Sequence, residues 1–466
     1  MQALMTRRKA IVSALGAAAA ATSTFPVVRA FAQGSLQATP STASAKKLSS
    51  LREPVSVPDY ELLAHERMSH PAWEYINSGS ADEITLRWNR EALTRIRLKP
   101  RVMVDVSQVD TRIKLFGQEM SHPILLAPTS THMLAHPEGE VATARGAGAA
   151  DAVMVISTLS NRGVEEITRA STRPTWFQLY VEDDRAVTKD LVLRAQEAGC
   201  RALCITVDLP IVYARDREAH LGSEAPQFPF PNLNVTAGPG GRGLRAGRSR
   251  KFSWKDLEWI QSFAKTPILL KGVLNPDDAE QAVKMGAAAI VVSNHGGRAL
   301  DSVPATIDAL PAIVDRVAGR IPVLVDGGIR RGTDVLKGLA NGATAILIGR
   351  PYLYGLAVAG SNGVRHVVEI LRTELEAAMA LTGRTSIRSD RSFCTVASVI
   401  AKTALFGAGE TFQDSISLLR ALRLWMSFAD RFQPSSFAEL VAQSKPCKRC
   451  AALAQRRTSL GSLCAP

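Results

Sequence analysis

At 466 residues the chain has room for one large α/β domain of about 250–350 residues with extensions at both ends, and with 46% hydrophobic residues it can bury a sizeable core. The formal net charge of +13 would suit nucleic acid if it lay along one basic face, but residues 1–34 carry +4 of it and residues 390–466 carry +5. The middle keeps only +4, which suits small anionic ligands and argues against nucleic acid as a partner.

The chain begins with Thr6-Arg7-Arg8-Lys9, an alanine-rich apolar run from Ala10 to Thr22, and Ala30-Phe31-Ala32. That order of basic, apolar and small-residue regions predicts an export signal over residues 1–32. Its adjacent arginines resemble a twin-arginine signal, whose pathway carries folded proteins, so the bacterial periplasm is the expected destination. The apolar run is shorter than the ~20 residues of a membrane-spanning helix, so cleavage is expected rather than anchoring. Residues 33–55, rich in Ser, Thr and Ala, read as a flexible linker.

From residue 123 onward, short apolar runs alternate with longer stretches of helical spacing. The runs are Pro123–Pro128, Ala152–Ser157, Thr175–Val181, Ala202–Asp208, Pro267–Gly272, Ala288–Asn294, Ile321–Gly327 and Ala343–Gly349. Continuous apolar strands between helices imply a parallel sheet covered on both faces, and eight of them favour an α/β fold closed as a (β/α)8 TIM barrel. An open doubly wound sheet would need a glycine fingerprint after its first strand, where Thr129-Ser130-Thr131 stands instead. Cys204 falls inside the fourth strand, where a buried thiol acts as a small apolar residue. The one long connection, from Asp208 to Pro267, is rich in Pro, Gly and Arg and reads as a lid over the barrel mouth.

Barrel active sites lie at the C-terminal ends of the strands. In order those ends carry Thr129, then Ser157, then Gln178 and Tyr180, then Thr206 and Asp208. The fifth carries Lys271, the sixth Ser293, Asn294, His295 and Arg298, the seventh Asp326, Gly328 and Arg330, and the eighth Gly349 and Arg350. Loops after strands seven and eight commonly bind phosphate, and here Asp326-Gly-Gly-Ile-Arg-Arg-Gly332 and Gly349-Arg350-Pro351 offer glycines for close backbone approach and an arginine, Arg330 or Arg350, for forked donation. Asp326 suits a polyol hydroxyl better than the anion, which points to a phosphorylated cofactor with a ribityl or ribose arm. A substrate phosphate is the alternative on this pattern alone. His295 needs a carboxylate partner to serve as a base near neutral pH, because an isolated imidazole titrates near ~6.5; Asp208 is the candidate. Arg298, three residues on, is placed to clamp a substrate carboxylate.

These residues carry a resemblance to the FMN-dependent L-2-hydroxy acid oxidase and dehydrogenase family, which includes glycolate oxidase, lactate oxidase and flavocytochrome b2. It extends from about Val57 to Ile387 through Ala135-His-Pro-Glu-Gly139, Phe177-Gln-Leu-Tyr180, Thr206-Val-Asp208, Lys271-Gly272, Ser293-Asn-His-Gly-Gly-Arg298 and Asp326-Gly-Gly-Ile-Arg330. The resemblance implies FMN as cofactor and oxidation of a small L-2-hydroxy acid anion to the 2-oxo acid. His295 is similar to the family's base and Asp208 to its partner. Arg298 and Arg215 resemble the arginines on the substrate carboxylate, and Tyr75 and Tyr180 the tyrosines at the substrate. Lys271 resembles the lysine at the flavin N1 edge. Thr129, Ser157, Gln178, Thr206, Ser293, Asp326, Gly328, Arg330, Gly349 and Arg350 fall on FMN-contacting positions. Residues 57–100 would cap the lower end of the barrel and bring Tyr75 over the site. The C2 hydrogen would leave as a proton to His295, or as a hydride concerted with O–H deprotonation. Electrons would pass on to oxygen, a quinone or a cytochrome, and the family implies a homo-oligomer, often a tetramer.

Some residues depart from the family pattern. Ser130 stands where Ala or Gly is common beside the flavin, so a hydroxyl there is expected to alter oxygen reactivity. Leu159 replaces the Trp of glycolate oxidase, and a medium apolar wall favours L-lactate or a slightly longer acid. Tyr213 replaces the usual Gly, which makes Arg217 a rival to Arg215. The barrel region is therefore set at 56–389, and residues 390–466 form an atypical tail with four of the six cysteines. One reading of the tail is a basic amphipathic helix at Leu418–Met426 in peripheral contact with a membrane. The favoured reading is a shifted reading frame. Cys447-Lys-Arg-Cys450 has metal-site spacing without a second pair, so no metal is expected. Two other functions compete: an FMN-barrel isomerase acting on a diphosphate, which would not need the arginine clamp, and an FMN-binding barrel left inactive by its tail.

Overall fold

The structure is a computed structural model that describes residues 53–221, 226–239 and 248–387. The expected export signal at 1–32, most of the linker at 33–55, and the tail at 390–466 with its helix and cysteine pair lie outside the described residues.

Three helices open the described chain: α1 (Val57–Arg67), α2 (His70–Asn77) and α3 (Ile84–Arg95). Ser56 starts α1, its hydroxyl accepting the Asp59 N–H at 3.3 Å, with a proline in the first turn. A small antiparallel hairpin follows, Ile113–Leu115 against Gln118–Met120. Then come eight parallel strands: β1 (Ile124–Leu126), β2 (Val155–Ser157), β3 (Trp176–Leu179), β4 (Leu203–Thr206), β5 (Ile268–Val273), β6 (Ala289–Val292), β7 (Val323–Val325) and β8 (Ala345–Ile348). Seven of them fall inside the apolar runs of the sequence, and β5 runs one residue past its own, to Val273.

From β2 to β8 each strand is hydrogen-bonded to its successor in the chain, β8 also pairs with β1, and a parallel bridge from Leu126 to Met154 joins β1 to the approach of β2. The sheet thus closes as a barrel with a helix after every strand, the last being Arg350–Leu381. Because side chains alternate along a strand, Leu125, Trp176, Cys204, Leu269, Val291, Leu324 and Leu347 share the barrel interior. Their neighbours Leu126, Phe177, Ile205, Leu270, Ile290, Val325 and Ile346 pack outward with the helices.

The lower end of the barrel differs from expectation. It is closed by the hairpin, whose Ile113, Leu115 and Met120 join the interior cluster while Phe116 packs on Trp176 with ring centroids 5.4 Å apart. Helices α2 and α3 sit at the upper rim instead. The Ser80 N–H donates to the Gly297 carbonyl at 2.8 Å, the Thr85 N–H to Asp301 at 2.8 Å, and Asn89 and Asn294 exchange reciprocal side-chain bonds. Buried polar groups on α3 and in the loop after β6 satisfy one another, which fixes the segment there.

The connection from β4 to β5 folds over the mouth, as its length and composition suggest. It holds a short helix, Asp216–Ala219, and a hairpin of Phe228–Phe230 with Val235–Ala237. Phe230 and Ala237 pack with Leu159, Tyr180 and Leu209 in a small apolar cluster apart from the main core. Beyond the hairpin, the Ser249 N–H donates to Val181 at 2.7 Å and the Arg248 guanidinium lies 3.9 Å from the centre of the Tyr180 ring.

Candidate active site

The alternation that fills the interior also builds the site. Two residues beyond the inward apolar layer stand Ser157, Gln178, Thr206, Lys271, Ser293, Asp326 and Gly349, and two further along stand Tyr180, Asp208, His295 and Gly328. The inward faces therefore end in a polar rim around a cavity of about 580 Å³.

His295 lies on the wall of this cavity, held in the left-handed backbone region at φ +60°. Its Nδ1 is 3.0 Å from Asp208 Oδ1, and its Nε2 is 3.4 Å from the Tyr180 hydroxyl. Burial pushes the imidazole below its usual range, opposed by Asp208, which favours the charged ring. Burial alone would raise the Asp208 carboxyl, but His295 and then Lys271 outweigh it and hold it below the usual carboxylate range. The result is a neutral ring with an anion behind it, ready to accept a proton at Nε2. Gly272 makes room for this pair: at φ +111°, a Cβ there would fall 2.4 Å from Asp208 Cβ.

Arg215 and Arg298 both reach the cavity. Arg298 donates through Nη1 to the carbonyls of Tyr75 (2.7 Å) and Ser78 (2.8 Å) and through Nη2 to Glu218 Oε1 (2.7 Å), with its guanidinium 5.0 Å from the centre of the Tyr75 ring. Arg215 donates to the Arg298 carbonyl from Nε and Nη2 and to Glu218 from Nη1. Burial, then the proximity of Arg298, lowers its pKa. The rival Arg217 turns away to Glu74 and Glu83. Tyr75 reaches the cavity too, its hydroxyl 2.5 Å from Ser130 Oγ, and Leu159 supplies an apolar wall.

At the other end, Lys271 Nζ donates to Ser293 Oγ at 2.9 Å and lies 3.2 Å from Asp326 Oδ2, which also accepts from Ser293 at 2.9 Å. Burial opposes the ammonium charge, yet Asp326 and Asp208 outweigh it and raise the Lys271 pKa. Gly328 sits at φ +79° so close to α3 that a Cβ would meet the Asn89 carbonyl at 2.1 Å. Arg350 begins the closing helix, and its guanidinium donates to the carbonyls of Ile76, Ser78 and Gly296. Burial lowers its pKa to about 10. Arg330 is held by Glu61 at 3.1 Å.

A flavin mononucleotide fits these residues. Gln178 Nε2 and Asp326 Oδ1 are buried without a hydrogen-bond partner, a donor and an acceptor suited to ring and polyol groups. The glycine loop at 327–328 and the helix start at Gly349-Arg350 suit the phosphate.

Of the residues expected at the site, Tyr75, Thr129, Ser157, Leu159, Tyr180, Arg215, Lys271, His295, Arg298, Asp326, Gly328, Arg330, Gly349 and Arg350 line the cavity. Gln178, Thr206, Ser293 and Asp208 stand behind that lining; Ser293 supports Lys271, and Gln178 accepts from Ser157 at 3.2 Å. Sequence reasoning missed Glu218 and Arg248. The first had a signal: an acid inside the arginine run Arg215-Asp-Arg-Glu218.

The family described as FMN-dependent dehydrogenase matches residues 64–395. An L-lactate oxidase from Nostoc sp. is 46% identical over 362 residues, covering 74% of this chain and 99% of the relative. A peroxisomal (S)-2-hydroxy-acid oxidase from Oryza sativa subsp. japonica is 46% identical over 342 residues, covering 72% of this chain and 93% of the relative. Among solved structures, mandelate oxidase with (S)-2-phenylpropionate superposes with a TM-score of 0.69 at 40% identity, covering 74% of this chain and 98% of that one.

Proposed function

The chain belongs to the FMN-dependent dehydrogenase family, and from that premise we propose that it oxidises a small L-2-hydroxy acid, of the L-lactate type, to the 2-oxo acid. The observation that carries this reading is His295 on the cavity wall, with Asp208 behind it at 3.0 Å, in a cavity also lined by two arginines that still have N–H groups to donate. Arg215 and Arg298 hold the substrate carboxylate. Tyr180 and His295 meet its hydroxyl and the C2 hydrogen, and His295 Nε2 takes up the released proton while Asp208 stabilises the imidazolium through Nδ1–H. FMN, when bound, supplies the two-electron acceptor. Lys271 places a positive charge where it stabilises electron uptake. Tyr75 and Leu159 border the substrate side chain, and an apolar wall of that size favours L-lactate over glycolate.

The relatives are named oxidases, which supports oxygen as the final acceptor over a quinone or cytochrome. Ser130, bonded to Tyr75, is the residue we expect to tune that step. We further propose export to the bacterial periplasm through residues 1–32, supported by their basic, apolar and small-residue order, and a homotetramer as in much of the family. For the tail the shifted reading frame is the favoured reading, and peripheral membrane contact through Leu418–Met426 is its alternative.

Anaerobic mixing with L-lactate is expected to bleach the visible flavin band, and D-lactate is expected to leave it unchanged. Admission of air then reports the acceptor, with rapid recovery of colour expected for an oxidase. A yellow protein that no L-2-hydroxy acid bleaches would end this assignment.

A further inference from the structure

Glu218 is 5% exposed, lines the cavity and stands where three separate segments meet. Its Oε1 accepts from Arg298 Nη2 at 2.7 Å, from Arg215 Nη1 at 3.3 Å and from the Ser78 hydroxyl at 2.9 Å. The three donors come from the loop after β6, the lid segment after β4 and the end of α2. One carboxylate oxygen therefore ties together the elements that deliver both arginines and Tyr75.

A guanidinium has five N–H donors in a fixed plane. Arg298 uses two on the carbonyls of Tyr75 and Ser78 and one on Glu218, which leaves Nε–H and one Nη2–H outside these bonds. Arg215 uses two on the Arg298 carbonyl and one on Glu218, which leaves one N–H on each terminal nitrogen. With the planes fixed by rigid acceptors, those remaining donors have a set direction before any ligand arrives. Two half-buried cations held on one carboxylate oxygen also repel, as the lowered Arg215 pKa reflects after burial itself, and the carboxylate between them offsets that repulsion.

We propose that Glu218 is a positioning residue: it pre-aligns Arg215 and Arg298 so that their remaining N–H groups converge on the substrate carboxylate. It touches neither the reacting carbon nor the proton, so its effect falls on binding. This inference rests on reading the cavity as a 2-hydroxy acid site.

The test uses the FMN-loaded full chain with Glu218→Gln and Glu218→Asp. Gln keeps the shape and an acceptor but loses the charge. KM for L-lactate and the dissociation constant of pyruvate, read from the flavin spectrum without turnover, are both expected to rise about tenfold or more, while kcat stays within about threefold. Asp keeps the charge on a shorter arm and is expected to recover part of the binding loss. The wild-type control reports on the site reading itself, whereas the variant-to-wild-type ratios report on Glu218 alone. Two results would overturn the proposal: a fall in kcat as large as the rise in KM, or unchanged KM and pyruvate binding with a lowered Tm, which would make Glu218 a packing residue.

Discussion

At the scale of the residue, His295 shows how position and environment make a base. Its φ of +60° is a backbone conformation that a residue with a Cβ adopts at a cost of about 1 kcal/mol or more. Here it turns the ring from the end of β6 toward Asp208, whose place Gly272 keeps open. Burial lowers the imidazole pKa and Asp208 opposes that shift. A base must be neutral to accept a proton, so activity is full above the His295 pKa and is lost as pH falls through it. Because burial wins, the acid limb of kcat/KM is expected below the ordinary value of ~6.5. Asp208→Asn removes the opposing charge, so the limb should move to still lower pH. The plateau should fall on the order of 10²-fold or more, since the imidazolium loses its counter-ion. Rates of anaerobic flavin reduction measured across pH check both points, and an unchanged plateau would take Asp208 out of the mechanism. The partnership was legible in the sequence because both residues end inward-facing strand registers. For Glu218 the acid beside the arginine run was visible but its direction was not, because a lid segment has no period from which a side chain's direction can be read.

At the scale of the element, the strands were legible and the plug was not. A buried parallel strand needs apolar residues on both faces, so its signal is a continuous run, and each of the eight runs coincides with a strand, β5 alone passing its run by one residue at Val273. Apart from β5, the strands are shorter than the runs, as with Ile124–Leu126 inside Pro123–Pro128, because the last residues leave the ladder to form the rim. The lower hairpin has only three residues on each arm, too few for an alternating pattern to stand out. The resemblance therefore assigned that end to helices which in fact reach the rim. The two ends of the barrel should respond differently to substitution. Trp176 is 1% exposed, lies in the interior layer beneath Gln178 and packs on Phe116 of the plug. Trp176→Ala would leave a large cavity in that layer, and a loss of about 3–5 kcal/mol is expected from denaturant unfolding. The flavin reduction rate of the folded fraction should stay close to wild type. A rate loss that outlasts correction for unfolded protein would show that the lower layer shapes the rim.

At the scale of the whole molecule, the barrel must hold the loops of consecutive strands together while keeping charged groups dry at the mouth, and Glu140 shows the consequence for stability. It opens the helix Glu140–Ala149 and is fully buried, its Oε1 accepting backbone N–H groups from His132 after β1 and Asn161 after β2, each at 3.1 Å. Neither bond brings a full positive charge, so burial dominates and pushes its pKa up to about 7, only partly offset by those N–H groups. In the unfolded chain a glutamate titrates near ~4.3. Between the two values the folded protein binds the proton more tightly. This contribution to stability is therefore complete below the unfolded pKa and is lost as pH rises through the folded one. At about 1.4 kcal/mol per unit, the swing is roughly 4 kcal/mol. Glu140→Gln keeps the Oε1 acceptor and removes the titration, so its stability should decline less than wild type between about pH 5 and pH 8. Its absolute stability should be lower at acid pH, where the wild-type carboxyl is already neutral, because the added amide N–H groups have no acceptor at the position of Oε2. Tm measured across that range in both proteins checks the slope. An equal slope would place the proton uptake elsewhere, with buried Glu182 beside Arg248, whose carboxyl burial also raises to about 7, the next group to replace.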